Sequence, residues 1–347
     1  MNILIVKLSS IGDVVHTLPS LAALRKLYPD AHITWVVEEA AADLLNNHPY
    51  LDAVLVSRRK TWIKDFQSGK IRRPLQEILV FIKTLRQRSY DLVIDFHGLL
   101  KSSLIVLLSA GRRKLGYDSL QELSGLFLND RIPEDMNKHA VDRYLDFPRY
   151  LGAKMVSPEF PLPSDNAAQA RVQSILKKHG LENKKFIAVN PVAYWETKLW
   201  DNEKFASLAD AIKIKLNVEV VFTGSEKESL EEIVTMMKSK GVNLGGETTL
   251  PELAYLYKKS QLVITTDSGP MHLAAAVGTP VIALFGPTDP MRTGPYGEGH
   301  TVIRFDLPCS PCFLKKCPTN KCMQDILPEQ VFAVIEERLK GGNDDDK

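Results

Sequence analysis

The N-terminal stretch NILIVKLSSIGDVVHTLPSLAALRKL, residues 2–27, decides the fold. Its first six residues are nearly all apolar, which is typical of a central strand buried on both faces of a parallel sheet. Apolar side chains then recur with helical spacing at Leu18, Leu21, Ala22, Leu24 and Leu27. A helix tolerates proline only in its first turn, so Pro19 indicates that this helix begins shortly before it. The stretch therefore predicts a strand, a loop that contains residues 9–13, and a helix.

The alternation of short apolar runs with amphipathic stretches continues along the chain and predicts repeated βαβ units. Predicted strands cover residues 2–7, 32–37, 53–57, 91–96, 186–190, 218–223, 262–266 and 280–285. Predicted helices in the second half cover residues 202–216, 226–240, 251–259 and 270–277. The segment SPEFPLPS, residues 157–164, has three prolines in eight residues and is interpreted as a linker. We therefore expect an α/β fold of two doubly wound lobes, residues 1–160 and 161–340, that face a central cleft.

Length and composition agree with two globular domains and exclude several classes of protein. The chain has 347 residues, 44% hydrophobic and 25% charged, which is typical of globular proteins and not of disordered ones. Its net charge of +2 argues against a dedicated nucleic-acid binder. The sequence has neither a transmembrane-length apolar run nor a signal-peptide pattern at its start, so we expect a cytoplasmic protein. Residues 341–347 are interpreted as a solvated tail.

The cysteines are confined to one short segment, with the spacing C-x2-C-x4-C-x4-C at Cys309, Cys312, Cys317 and Cys322. They are too few and too localised for a secreted disulfide scaffold of this length. The spacing also departs from the paired C-x2-C knuckles of common zinc sites. Three interpretations stay open: a structural zinc or iron–sulfur site, disulfides, or free thiols in a loop.

The loop after the first strand, KLSSIGD at residues 7–13, is the first candidate for chemistry. Its only glycine is Gly12, whereas a dinucleotide fingerprint needs G-x-G-x-x-G at this point, so a dehydrogenase is disfavoured. Asp13 lies at the predicted carboxyl end of the strand and at the entrance to a helix. It either caps that helix or, if it faces the cleft, acts as a general base.

Three segments of the second half also place polar residues after predicted strands. The loop after FIAVN carries Lys198, which is either a solvated surface residue or a phosphate ligand. The turn DSGPMH after LVITT is either an ordinary strand-to-helix turn or an anion site, where Gly269 permits close backbone approach. In TGSE, Glu226 either accepts hydrogen bonds from a ribose diol or complements the dipole of its helix.

Four motifs, in this order and spacing, resemble those of the ADP-heptose:lipopolysaccharide heptosyltransferases, the family 9 glycosyltransferases. They are KLSSIGDVVHTLP at the start, NP followed by TKLW, TGSEKE, and TTDSGPMHLAAAVGTPVIALFGPTDP. The resemblance covers nearly the whole chain, and the start is more similar to heptosyltransferase I than to II. It implies a GT-B fold with two Rossmann-like lobes, in which the N-terminal lobe binds the acceptor and the C-terminal lobe binds the ADP-sugar.

The resemblance also implies roles for individual residues. Asp13 matches the family's proposed base, Lys198 the lysine on the donor phosphates, and Glu226 the ribose contact. Further donor-binding residues are expected at Ser10, Gly12, Thr197, Asp267, Ser268, Gly269 and His272. Family loops often carry hydroxyls just ahead of the lysine, whereas Ala193 and Tyr194 stand there in this chain.

The activity implied is transfer of a heptose from ADP-heptose to the Kdo-lipid A inner core, in a single displacement with inversion. A diphosphate is a weakly basic leaving group, so one base suffices, and the chemistry needs neither a general acid nor a metal or other cofactor. Two alternatives within the family are heptosyltransferase II and another ADP-sugar transferase. Alternatives of other classes are a sugar-nucleotide epimerase and a two-lobed binding protein without catalysis.

A basic segment in the first half is the candidate acceptor site. Between residues 58 and 73, seven basic residues stand against the single acid Asp65. The segment is either a solvated surface loop or a clamp for an acidic lipid, with Trp62, Ile63 and Phe66 dipping into the interface. The expected acceptor contacts are Arg58, Arg59, Lys60, Lys64, Arg72, Arg73, Lys101 and Arg113. A lipid acceptor implies a peripheral protein on the inner face of the inner membrane, and we expect a monomer.

Overall fold

The computed structural model describes residues 1–119, 125–154 and 157–341. The chain divides into two compact units, Met1–Ser164 (unit 1) and Asp165–Lys347 (unit 2). The proline-rich segment 157–164 contains neither helix nor strand and ends unit 1. The boundary between the units thus falls four residues beyond the predicted one at 160. Of the predicted tail, residues 342–347 lie outside the described residues.

Unit 1 is built on a six-stranded sheet in the order β3-β2-β1-β4-β5-β6, in which all neighbouring strands are parallel. The strands are β1 (Asn2–Val6), β2 (His32–Glu38), β3 (Ala53–Ser57), β4 (Leu92–Asp95), β5 (Arg113–Tyr117) and β6 (Asp130–Ile132). β1 lies between two other strands and is apolar because successive side chains enter different cores. Ile3 and Ile5 pack into one cluster, and Leu4 and Val6 into another.

Helices cover both faces of this sheet. They are α1 (Ile11–Leu27), α2 (Glu39–Ala42), α3 (Arg59–Gln67), α4 (Arg72–Leu85), α5 (Leu100–Leu108) and α6 (Ala140–Tyr150). α1 and α6 pack together with Ile3 and Ile5. The ends of α4 and α5 pack with Leu4 and Val6, so these two helices lie on the other face.

Unit 2 repeats the same plan with the order β12-β11-β10-β7-β8-β9. Its strands are β7 (Phe186–Asn190), β8 (Glu219–Phe222), β9 (Val242–Asn243), β10 (Val263–Thr266), β11 (Val281–Phe285) and β12 (Thr301–Arg304). Its helices are α7 (Asn166–Lys178), α8 (Asn202–Leu216), α9 (Glu228–Met236), α10 (Leu250–Lys259), α11 (Gly269–Ala276), α12 (Pro290–Thr293), α13 (Lys321–Gln324) and α14 (Pro328–Gly341). In both sheets the first strand of the unit lies beside the second on one side and the fourth on the other, which is the doubly wound order. The predicted fold class is confirmed.

The start of α1 differs from the prediction. The helix begins at Ile11, so residues 11–13 belong to its first turn and not to the preceding loop. Ser10 and Asp13 form a capping box that starts the helix there, and Pro19 consequently lies in mid-helix, where we did not expect it. A mid-helix proline removes one backbone hydrogen bond. Burial of 12 of the 17 residues of α1 supplies the stabilisation that offsets this loss.

Several elements were not predicted, and one helix is shorter than predicted. β5 and β6 are the last two strands in the order of their sheet, and their sequences, RKLGY and DRI, contain charged residues and lack an apolar run. α9 spans Glu228–Met236 instead of residues 226–240, which leaves Glu226 in the loop before the helix. Among the described residues, no helix combines the length and the hydrophobicity needed to cross a membrane.

Candidate active site

Parallel strands end at one edge of each sheet, here called the carboxyl edge, and doubly wound folds bind ligands there, next to the point where the strand order reverses. In unit 1 that point lies between β1 and β4. The chain leaves β1 through Lys7 and leaves β4 through Asp95, so both residues reach this edge, together with Glu38 at the end of β2. The carboxyl edge of unit 1 therefore collects charged side chains on an otherwise apolar framework.

Asp13 is held at this edge by hydrogen bonds to both of its carboxylate oxygens. Oδ2 accepts from the backbone N–H of Ser10 at 2.9 Å and from the Ser10 hydroxyl at 2.8 Å. Oδ1 accepts from the hydroxyl of Tyr144 at 3.1 Å and lies 3.5 Å from Nζ of Lys7. The side chain nevertheless keeps 38% of its surface exposed. Asp13 thus caps α1 and also presents a carboxylate to solvent, so the two roles foreseen for it are compatible.

The charge of Asp13 is stabilised by its surroundings. Burial by itself raises the pKa of this carboxyl, but Lys7, His16 and the Ser10 hydrogen bonds together hold the pKa well below its ordinary value. Lys7 is buried, and its ammonium also donates to the Tyr144 hydroxyl at 2.6 Å and to the carbonyl of Phe96 at 3.0 Å. Desolvation lowers the pKa of Lys7, against the opposing effect of Asp13 and Asp95. The Asp13 carboxyl is therefore ionised throughout the neutral range.

The sequence did not reveal three neighbours of this carboxylate. Tyr144 belongs to α6, 131 residues from Asp13, and nothing in its local sequence marks it. Asp95 is buried and accepts hydrogen bonds from the backbone of His97 and Gly98 and from Ser102. Both ring nitrogens of His97 are buried without a hydrogen-bond partner among the described residues, and burial, Lys7 and Lys101 lower its pKa. The one sequence signal of this charged cluster was Lys7, a lysine that directly follows an apolar strand.

Part of the predicted acceptor cluster assembles at the same edge, around a carboxylate that the sequence analysis did not single out. Glu38 is buried and lies 2.9 Å from Arg59, 3.9 Å from Lys60 and 3.9 Å from Lys101. Lys101 also donates to the hydroxyl of Ser9 at 2.9 Å, which brings it beside the loop that holds Asp13. Three cations share one carboxylate here, so positive charge is in excess.

The other members of the basic segment are distributed differently. Arg58 pairs with Glu39 at 2.8 Å and with Glu77 at 3.0 Å, and Arg73 pairs with Glu77 at 2.9 Å. Counting only Asp65 against the basic residues was therefore wrong, because carboxylates from α2 and α4 neutralise part of the charge. Lys64 and Arg72 remain exposed.

Two expectations for the acceptor region are contradicted by the structure. Trp62 does not project from the surface, since it is 8% exposed and its indole N–H donates to Glu77 at 2.8 Å, whereas Ile63 and Phe66 are exposed. Arg113 is the first residue of β5, pairs with Asp130 at 2.6 Å, and so lies at the sheet edge opposite to the carboxyl edge. The structure does not bring Arg113 together with Asp13.

In unit 2, the equivalent edge brings Lys198 to Asp267. Their charged groups are 2.6 Å apart, and Asp267 also accepts from the Thr288 hydroxyl at 2.6 Å. Lys198 ends a 3-10 turn, Glu196–Lys198, and its ammonium lies 4.5 Å from the ring centroid of Trp195. The lysine is thus oriented between an aromatic face and a buried carboxylate, which is more order than a solvated lysine has.

The neighbouring Thr197 is buried and donates its hydroxyl to the carbonyl of Leu314 at 2.7 Å. A phosphate oxygen requires a hydrogen-bond donor, and this hydroxyl has already committed its hydrogen. Thr197 therefore fixes its loop onto the cysteine-containing segment and is not placed to donate to the donor phosphates, contrary to expectation.

The remaining predicted donor residues are placed as follows. Ser268 caps α11, Gly269 begins it, and His272 is buried in its first turns. Ser10 is occupied by Asp13, and Gly12 is buried in the first turn of α1, both in unit 1. Glu226 is exposed, and a Cβ on Gly245 would meet its carbonyl oxygen at 2.5 Å, so the close approach of these two backbones requires glycine.

The four cysteines lie in one loop between β12 and α13 and at the start of α13, and all are free thiols. Burial raises the pKa of Cys322, whereas backbone N–H groups of Thr319 and Asn320 lower that of Cys317. Within residues 1–119, 125–154 and 157–341, no group of three or more His, Cys, Asp or Glu side chains could hold a metal ion.

Comparison with known proteins gives a consistent result. Residues 78–323 match glycosyltransferase family 9 (heptosyltransferase). Lipopolysaccharide heptosyltransferase 1 of Pseudomonas aeruginosa is 29% identical, with 98% of each chain covered. Lipopolysaccharide heptosyltransferase 3 of Escherichia coli is 28% identical, with 94% of this chain and 95% of the relative covered. The structure of E. coli heptosyltransferase WaaC with ADP superposes with a TM-score of 0.78 at 26% identity, covering 97% of this chain and all of that one. The chain belongs to glycosyltransferase family 9, the lipopolysaccharide heptosyltransferases.

Proposed function

We propose that this glycosyltransferase moves a heptose from ADP-heptose to the Kdo-lipid A inner core, as a heptosyltransferase I. The match to a heptosyltransferase 1 over 98% of both chains supports this member of the family, as does the SSIGDVVHTLP start. In this proposal unit 1 binds the acceptor and unit 2 binds the ADP-sugar. The observation that carries the proposal is the ionised, partly exposed Asp13 carboxylate at the carboxyl edge of unit 1.

Asp13 acts as the general base. It takes the proton of an acceptor hydroxyl while that oxygen forms a bond to the anomeric carbon and the bond from this carbon to the diphosphate oxygen breaks, with inversion. Its low pKa makes it a weak base towards a free alcohol. The hydroxyl becomes strongly acidic only as its oxygen attacks, so proton transfer late in the step suits such a base.

Lys198 stabilises the negative charge that grows on the departing ADP. Its ammonium is oriented by Trp195 and Asp267, and the backbone N–H groups at the start of α11 add positive dipoles. Asp267 competes with the diphosphate for this lysine. Because ADP is a weakly basic leaving group, no general acid is needed, and the step as written uses no metal.

The cations around Glu38 bind the anionic groups of the acceptor. Arg59, Lys60 and Lys101 supply more charge than Glu38 neutralises, and Lys101 lies beside the loop of Asp13. The exposed Lys64 and Arg72 extend this surface. A lipid acceptor of this kind implies that the enzyme works at the inner face of the inner membrane, and we expect it to work there as a monomer.

The test is incubation with ADP-heptose and Kdo-lipid A, with ADP release and product mass as readouts. We expect one heptose to be added, and we expect Asp13→Asn to reduce kcat by roughly 10²-fold or more, while ADP binding is retained. A preference for an acceptor that already carries one heptose would indicate heptosyltransferase II instead.

Two other outcomes would replace the proposal. Turnover of the sugar nucleotide without any acceptor is the behaviour of an epimerase or hydrolase, and ADP-heptose binding without turnover is that of a binding protein. Near-normal kcat in a folded Asp13→Asn variant would remove Asp13 from the role of base.

A further inference from the structure

The outer surface of unit 1 exposes an unusual number of large aliphatic side chains. On α4, Leu79 and Val80 are 65% and 63% exposed, and Leu75 is also exposed. On α5, Leu100, Leu104 and Leu107 are exposed and recur at the spacing of one helical stripe. We call these six residues the leucine face. Single exposed leucines are ordinary, but a face made of two adjacent helices marks an interaction surface.

The two helices pack on the same face of the sheet and meet at their carboxyl ends. Leu85 of α4 and Ile105 and Val106 of α5 pack into one cluster, so the opposite sides of both helices point away from the core. Arg86, at the end of α4, donates to the carbonyl of Leu108, at the end of α5, at 2.9 Å. The exposed stripes of α4 and α5 therefore lie on the same face of unit 1.

Several cations of the segment that contains α4 are exposed. Residues 58–90 contain ten Lys and Arg against two Asp and Glu, and the sequence of α5, LKSSLIVLL, has no acid. Glu38 and Glu39, which precede the segment, also pair with Arg58, Arg59 and Lys60. Of the two acids, Glu77 is already paired with Arg58 and Arg73, and Asp65 with Lys70. Lys64, Arg72, Lys83 and Arg88 are exposed. Exposed cations on α3, on α4 and just after α4 thus accompany the leucine face.

We propose that the leucine face docks unit 1 onto an anionic phospholipid bilayer, with its leucines in the interfacial region and the accompanying cations on lipid headgroups. Apolar residues flanked by Lys and Arg are the composition that binds such surfaces. A second copy of the chain is a poorer occupant, because pairing two such faces would bring like charges together. The inference extends the proposed function, since a lipid acceptor must be met at the bilayer that holds it.

The experiment is co-sedimentation of the full chain with vesicles of phosphatidylcholine alone and of phosphatidylcholine with phosphatidylglycerol. We expect binding that requires phosphatidylglycerol and weakens with added salt. The double variant Leu79→Gln, Leu104→Gln should lose about tenfold or more in partitioning, because it removes two exposed side chains that the bilayer would bury. Lys83→Glu should lose about fivefold or more.

The matched control is Ile214→Gln, which replaces an aliphatic side chain of 70% exposure on α8 of unit 2 and should bind vesicles like the parent. Transfer to a core acceptor stripped of its acyl chains should be unchanged in the leucine variant. Equal vesicle binding by parent and leucine variant would overturn the inference, and so would a dimer in the parent that the variant abolishes. If the parent transfers no heptose but its vesicle binding depends on the leucines, the proposed function fails and the docking surface stands.

Discussion

Replacing Lys7 with methionine tests how the Asp13 carboxylate is kept ionised. Lys7 is buried, and methionine is unbranched and similar in length, so the substitution removes the charge with little loss of packing. The variant leaves Asp13 with its hydrogen bonds from Ser10 and Tyr144 but without the cation 3.5 Å away.

The size of the effect follows from that distance. Two unit charges 3.5 Å apart attract by about 1 kcal/mol in bulk water and by about 5 kcal/mol at an effective dielectric constant of 20. Because 38% of the Asp13 side chain is exposed, solvent screens the pair, and the lower part of this interval, about 1–3 kcal/mol, applies. Without Lys7 the ionised form of Asp13 loses this stabilisation, and the pKa of Asp13 rises.

The assay is the pH dependence of kcat for heptose transfer at saturating substrates. The carboxylate form accepts the proton, so activity falls as pH drops through the pKa of Asp13. Lys7 lowers that pKa, so the acidic limb of the profile should move to higher pH in Lys7→Met, towards the ordinary aspartate value of about 3.9.

Two variants serve as comparisons. Tyr144→Phe removes one hydrogen bond to Oδ1 and should shift the limb in the same direction by less. Lys26→Met removes an exposed lysine paired with Glu159 and should leave the profile unchanged. An unshifted acidic limb in a Lys7→Met protein with parental circular dichroism would refute the reasoning, as would a shift to lower pH.

Three further results are expected. Lys198→Met should lower kcat by on the order of 10²-fold and weaken ADP binding, because the departing diphosphate loses its cation. Unchanged kinetics would show that Lys198 does not contact the donor phosphates. ADP at 100 times its Kd should raise the free energy of unfolding by about 2.7 kcal/mol in thermal denaturation, whereas NAD or UDP should not; protection by NAD would argue for another donor class. The double variant Lys64→Glu, Arg72→Glu should raise the acceptor KM without changing ADP affinity. The control Lys258→Glu, on unit 2, should change neither quantity. An acceptor KM equal to that of the parent would show that Lys64 and Arg72 do not bind the acceptor.

The fold was largely predictable because its signals are local. A buried parallel strand is apolar at nearly every position, and this property located β1 and β10 within a residue or two of their ends. β5 and β6 were missed because they carry charged side chains, and because β5 is held by pairing with β4 and β6 by pairing with β5 rather than by an apolar run of its own. The start of α1 was misplaced because Pro19 was given more weight than the Ser10 and Asp13 capping pair.

The candidate site was predictable only where its members follow the ends of strands. Asp13 and Asp267 come soon after β1 and β10, so topology alone brings each to a carboxyl edge. Tyr144 reaches Asp13 from α6, and Glu77 reaches Arg58 from a different helix. Such partners are set by tertiary packing, so a charge count along the sequence overestimated the free positive charge of residues 58–73.

The repeated strand order has a consequence for how acceptor preference can change. Within the described residues, the two hydrophobic clusters around β1 draw their side chains from unit 1 alone and the cluster around β7 and β8 from unit 2 alone, and the polypeptide passes from unit 1 to unit 2 at Ser164–Asp165. Substitutions that reshape the outer surface or the loops of residues 1–164 therefore leave the hydrophobic cluster of unit 2, the half proposed to bind the nucleotide, unchanged in composition. Chimeras joined at this point, which combine the first half of one relative with the second half of another, offer a route to enzymes that glycosylate new sugars from the same activated donor.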